Sequence, residues 1–200
     1  MEEIELRGQA GDPELQLTTR SFNAAILGWK NSNATEAAQR AEALLARMIR
    51  RYKDGDERCR PDRVTINSVI SVLAKSPQVD AAERARGFLD VMEDLGKLGD
   101  VIKPDRYSYN SVIDAYSRSS EPGAARSAQA LFDRMQARYQ QGDKGLLPDL
   151  ITYTSLRLAW MASNESDAPE NIRRIGIEIL QEVDRQKKLA SAAASRRHLS

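Results

Sequence analysis

Cysteine and histidine are nearly absent from this chain of 200 residues, which holds one of each, Cys59 and His198. A single thiol excludes an internal disulfide and suits a reducing compartment. It cannot build a metal cluster with its neighbours either. No Gly-rich phosphate loop ending in lysine is present. The carboxylates do not gather at metal-site spacing beyond what a helical surface explains. These absences remove the usual catalytic apparatus, so no catalytic residue, metal ligand or cofactor is expected. Long apolar runs are missing as well. None approaches the ~18 residues of a membrane helix, and no membrane partner is expected. Charge of one sign is not in excess: the formal net charge is +1. That withholds a global basic footprint, although a nucleic acid requires only a local patch. The opening Met1-Glu2-Glu3-Ile4-Glu5 is acidic, where a secretory or transit segment would be basic.

What the chain does contain is internal repetition, a signal that takes precedence over others. Pro61-Asp62-Arg63-Val64-Thr65-Ile66-Asn67-Ser68-Val69-Ile70 returns as Pro104-Asp105-Arg106-Tyr107-Ser108-Tyr109-Asn110-Ser111-Val112-Ile113. Pro148-Asp149-Leu150-Ile151-Thr152-Tyr153-Thr154-Ser155-Leu156 is a third copy. Arg20-Ser21-Phe22-Asn23-Ala24-Ala25-Ile26 is a fourth, lacking the Pro-Asp. The markers Asn23, Asn67, Asn110 and Thr154 step by 44, 43 and 44 residues, and Met48, Met92 and Met135 keep the same beat. The beat predicts a tail over 1–17, repeats over 18–62, 63–105 and 106–149, a degenerate repeat over 150–188, and a second tail over 189–200.

Each repeat carries two helical stripes. The first helix, A, shows Ile66, Val69, Ile70 and Leu73, the i, i+3, i+4, i+7 face of an α-helix. Phe22, Ala25, Ile26 and Trp29 match it, as do Tyr109, Val112, Ile113 and Tyr116. In the last repeat Tyr153, Leu156, Arg157 and Trp160 follow, with Arg157 breaking the stripe. The second helix, B, shows Ala41, Leu44, Leu45 and Met48, then Ala85, Phe88, Leu89 and Met92, then Ala128, Leu131, Phe132 and Met135. For the last repeat the spacing predicts Gly176, Ile179, Leu180 and Val183, after a longer loop over 163–171. Gly55, Gly99 and Gly145 are the expected helix-ending positions. Such hairpins cannot bury their apolar faces alone, so stacking is expected. The predicted class is all-α, a right-handed α-solenoid of about four helix-turn-helix repeats with helices A on the concave side.

The text T/S-Y-N-S-V-I followed by A-x-x-L-F-x-x-M and then P-D resembles the pentatricopeptide repeat, over roughly residues 18–188. The period of 43 or 44 exceeds that family's, which is about 35. Tetratricopeptide repeats are disfavoured, since their Trp-Leu-Gly-Tyr pattern is missing. The resemblance implies single-stranded RNA as partner, read at about one base per repeat. It implies organelle RNA metabolism, in a mitochondrion or chloroplast, covering processing, stability, editing or translation, with RNA-processing or ribosomal proteins as further partners. The implied base-reading pairs are Asn23 with Asp62, Asn67 with Asp105, and Asn110 with Asp149. Asn with Asp implies uridine, and Thr with Asp implies guanine. Thr154 resembles a purine-reading position, but no Pro-Asp follows its repeat. Implied base-sandwiching residues are Arg20, Val64, Tyr107 and Ile151. Lys75 and Arg118 match the charge of the family's phosphate-contacting position.

The residues themselves leave alternatives open. Asn is a poor helix former, so helix stability does not explain Asn23, Asn67 and Asn110. A carboxamide offers both donor and acceptor to a base edge. Asn also caps helices, though Ser21, Thr65, Ser108 and Thr152 are better placed for that. The Asp residues suit turns after Pro. Val64 and Ile151 suit ordinary packing. A groove that holds a protein partner, or a fragment of a longer repeat protein, stands as the alternative to RNA.

Overall fold

The computed structural model describes residues 17–30, 32, 35–96 and 102–197. Among these, all regular structure is helical, with eight α-helices and two short 3-10 turns. The helices are α1 (Thr19–Lys30), α2 (Ala37–Lys53), α3 (Arg63–Leu73), α4 (Ala81–Gly96), α5 (Arg106–Arg118), α6 (Ala124–Gln140), α7 (Leu150–Ala162) and α8 (Ala168–Arg197). The 3-10 turns are Glu57–Cys59 and Lys144–Leu146. The odd-numbered helices begin 44, 43 and 44 residues apart, and the even-numbered ones keep the same steps. The long period therefore resides in B helices of 16 or 17 residues and in nine-residue connections from each B helix to the next A helix.

The chain divides into two compact units, Met1–Val112 and Ile113–Ser200, with the division inside α5. In the first unit α1 packs on α2 and α3, and α3 packs on α2 and α4. Short connections make A and B antiparallel neighbours. Phe22, Ile26, Val69, Ile70, Leu89 and Met92 are fully buried, which places both predicted stripes in the core. The first three B helices open on a buried alanine pair: Ala37-Ala38, Ala81-Ala82 and, in the second unit, Ala124-Ala125. Side chains this small let helix backbones approach closely. In the second unit α7 packs on α6 and α8, over Leu156, Trp160, Leu131 and Met135. The Phe132 and Tyr153 rings meet at 5.5 Å, tilted by 54°, an arrangement that aromatic quadrupoles favour.

Four expectations require correction. The last B helix starts at Ala168, on the beat, so no longer loop precedes it. Of its expected stripe, Gly176, Ile179 and Val183 are half-buried but Leu180 is 67% exposed, and Ile175, at 1%, is the buried apolar residue of this helix's middle. The helix continues to Arg197, past the expected end at Lys188. Gly142, with φ of 109°, ends α6, whereas Gly145 lies in the following 3-10 turn. Gly99 lies outside the described residues. Gly55, with φ of 96°, ends α2 as expected.

The two described glycine ends are built alike. The N–H of Asp56 bonds Arg51 O at 3.0 Å, and Gly55 N–H bonds Tyr52 O. Asp143 and Gly142 repeat this with Arg138 and Tyr139. These are Schellman caps, with glycine supplying the left-handed residue. The same residues also join through side chains, Arg51 to Asp56 at 2.9 Å and Arg138 to Asp143 at 3.0 Å.

Candidate nucleic-acid interface

The Pro-Asp turns set α3, α5 and α7 in place. Asp62 is the N-cap of α3: its Oδ1 accepts from Thr65 N at 2.8 Å, while Asp62 N donates to Thr65 Oγ1 at 3.1 Å. Asp105 with Ser108 and Asp149 with Thr152 form the same capping box, with all bonds at 3.0 Å. In α1, Thr18 stands where the aspartates stand, and Thr18 and Ser21 exchange hydrogen bonds. The Ser and Thr residues expected to cap are therefore the reciprocal partners three residues inside the helix. The reciprocal bonds satisfy two donors that every helix start leaves open.

The cap aspartates of the first unit also reach back to the preceding A helix. Asn23 Nδ2 donates to Asp62 Oδ1 at 3.3 Å, and Asn67 Nδ2 donates to Asp105 Oδ1 at 3.4 Å. Two of the three anticipated Asn–Asp pairs are thus in contact. A carboxylate only accepts, so it selects the NH2 end of the amide and fixes its orientation. Ser108 Oγ then donates to Asn67 Oδ1 at 2.7 Å. Asn67 is left with one N–H, one lone pair and 8% of its surface exposed. The Oδ1 of Asn23 is buried and has no partner. Of the third pair, Asn110 belongs to the first unit and Asp149 to the second. Thr154 is exposed and turns its hydroxyl to its own helix, donating to Leu150 O at 2.8 Å.

The sandwich positions lie open. Arg20 is exposed, and Val64, Tyr107 and Ile151 are exposed by 57%, 47% and 61%. Tyr107 is the most constrained of them. Its hydroxyl receives a hydrogen bond from Lys30 Nζ at 2.9 Å and meets Ser71 Oγ at 2.6 Å. Lys30 Nζ lies 5.6 Å from the ring centroid. Burial raises the phenol pKa, but the Lys30 and Ser71 hydrogen bonds and the Lys30 charge outweigh it, leaving Tyr107 below the ordinary tyrosine range. Lys75 is exposed and donates to the backbone oxygen of Lys30 at 3.5 Å. Arg63 reaches Asp105 Oδ2 at 3.5 Å. In the second unit Arg118 is exposed and paired with Asp114 at 3.1 Å, one helical turn earlier.

Sequence reasoning missed Lys30 and Ser71, which hold the edge of Tyr107. The signal was their spacing, since Ser71 lies four residues after Asn67, on the same helix face. No protein-family model, curated protein or solved structure matches this chain. Among the described residues, no helix is long and apolar enough to cross a membrane.

Proposed function

We propose that the four hairpins stack as a right-handed α-solenoid of pentatricopeptide kind, which binds single-stranded RNA through its A helices. The observation that carries this reading is the pair of contacts Asn23–Asp62 and Asn67–Asp105. Each fixes a carboxamide beside an open position, Arg20 or Val64, at the start of an A helix. A preorganised amide offers its remaining N–H, and in Asn67 one remaining lone pair, to a base edge without first losing rotamer freedom. Tyr107, with Lys30 beside it, supplies a stacking face next to positive charge. Asn with Asp in successive repeats implies a uridine-rich site. By the same resemblance the protein acts on transcripts in a mitochondrion or chloroplast, in processing, stability, editing or translation.

The test is binding to oligo-U, oligo-A, oligo-C and duplex RNA at two salt concentrations. Oligo-U is expected to bind best, with affinity falling as salt rises, because lysines displace counterions from phosphate. The second reading is a scaffold that holds a protein partner. It is favoured by the apolar row Ile151, Leu158 and Met161, exposed along α7. Failure of every single strand to bind at low salt would decide for the scaffold.

A further inference from the structure

The apolar face of α8 continues past what α7 covers. Helices α6 and α8 begin 44 residues apart, so Ala128, Phe132 and Met135 of α6 correspond to Ile172, Gly176 and Ile179 of α8. The three α6 residues are buried, and α7, the next A helix, packs on α6. The first unit repeats the arrangement: α3 packs on α2, and Ala41, Leu45 and Met48 are buried. In α8 the same positions are only half-buried, as is Val183, and Leu180 beside them is open to solvent. Their spacing puts all five on one side of the helix. Among the described residues, no A helix follows α8. The two earlier repeats thus show what fits such a face, which is a helix.

The margin of the face is basic. Arg157 on α7 is exposed where Ile26 and Ile70 are wholly buried, so the residue that breaks the apolar stripe sits at its open edge. Arg173 and Lys187 are exposed on α8, seven residues to either side of Leu180 and therefore on its side of the helix. Glu182 is bonded by Arg185 at 2.7 Å, and Asp184 lies one turn after Leu180. Three cations against Asp184 leave the margin positive.

That charge argues against a second copy of this chain as the occupant. Its α1 would be the helix to dock, since no B helix precedes α1 among the described residues. But α1 carries Arg20 and Lys30 and no carboxylate, so like charge would meet like.

We propose that this face of α7 and α8 docks an amphipathic helix of a protein partner, apolar on the side turned to Leu180 and acidic along its flanks. The apolar side would complete the cover that α7 gives α6, and the acidic flanks would meet Arg157, Arg173 and Lys187. Helix-in-groove recognition takes its affinity from the apolar anchors, and complementary rim charge selects the partner. The Asn–Asp contacts play no part in it, so the inference does not rest on the RNA reading.

The test uses the full chain and follows its Ile, Leu and Val methyl resonances. The probes are two synthetic peptides of about 16 residues, long enough to populate a helix. Both carry the same leucine stripe, one with glutamate on its flanks and the other with lysine. Saturable shifts at Ile172, Ile179, Leu180 and Val183 are expected with the glutamate peptide. It is expected to bind about fivefold or more tighter than the lysine peptide, a margin within reach of a few exposed ion pairs. Leu180→Glu is expected to abolish the shifts, and Val79→Glu, the same charge change at an exposed site of the first unit, to leave them in place. Both variants are checked for an unchanged helical spectrum. No saturation, saturable shifts only at other methyls, equal binding of the two peptides, or equal effects of the two variants would each overturn the proposal. Shifts at the same methyls on raising the protein concentration alone would make a second copy the occupant and overturn it as well.

Discussion

Ser108 Oγ accepts from Asp105 N and donates its one proton to Asn67 Oδ1 at 2.7 Å, with Asp105 Oδ1 a more distant acceptor at 3.1 Å. It is wholly buried, so water cannot replace what its removal leaves open. Ser108→Ala is expected to destabilise the protein by about 2 kcal/mol, since lost bonds leave buried polar atoms unmet. Thermal melting checks this, and a loss below about 0.5 kcal/mol would mean the network is not formed in solution. Asp56 gives a pH prediction. Hydrogen bonds from Arg58 and Arg51 hold its carboxyl down to about 2, against the upward push of burial. The ionised form is favoured by folding, so this contribution is complete above the ordinary carboxylate range near 4. It is lost as pH falls from there through 2. Asp56→Asn is expected to flatten the melting temperature between pH 4 and 2 relative to the parent. Parallel curves would show the pairing to be inert. At this scale the sequence was informative where chemistry is local. Asp after Pro and Ser or Thr three residues on are a readable cap, although which of the two caps was inverted. Ser108 bonding to Asn67 was not readable, because it joins residues 41 apart.

Element boundaries show which signals are strong. The stripes of α1 to α6 were legible because apolar and polar positions alternate cleanly at helical spacing. The last B helix was misread because Ile172, Ile175, Ile177, Ile179, Leu180 and Val183 fit more than one register. Pro169 also obscured its start, although proline is tolerated in a first turn, where its missing N–H has no helical partner. The alanine at the head of each B helix, including Ala168, was the unused guide. Gly142 was overlooked for Gly145, yet Arg-Tyr-x-x-Gly-Asp at 51–56 and again at 138–143 marks the true end. Gly142→Ala is expected to cost about 1 kcal/mol or more, because φ of 109° is strained for any side chain. Gly145→Ala should change the melting temperature much less. Equal effects would refute the cap assignment.

For the whole molecule, the count of hairpins followed from the beat, and the all-helical class from the apolar stripes within it. The Asn–Asp pairing came from family resemblance, and in two of the three pairs the side chains hydrogen-bond to each other. Burial across repeats makes one mutation decisive for the first unit. Ile70→Asp places a charge in a fully closed apolar interface and is expected to unfold or loosen α3 and its neighbours. An unchanged melting curve would remove Ile70 from the core.

The central claim, that the A helices read single-stranded RNA base by base, is tested most directly by exchanging one reader. Asn67→Thr gives α3 the Thr–Asp pair that the family resemblance associates with guanine. Losing the Asp105 and Ser108 contacts also lowers stability, so the readout is discrimination and not affinity alone. Binding is compared between a uridine-rich RNA and the same RNA with guanine at a single position, scanned along the site. The account predicts a shift toward guanine of about 1–3 kcal/mol at one position and none elsewhere, by analogy with single base contacts in duplex readout. A uniform loss for all sequences, or no binding of the parent to any of them, would contradict it.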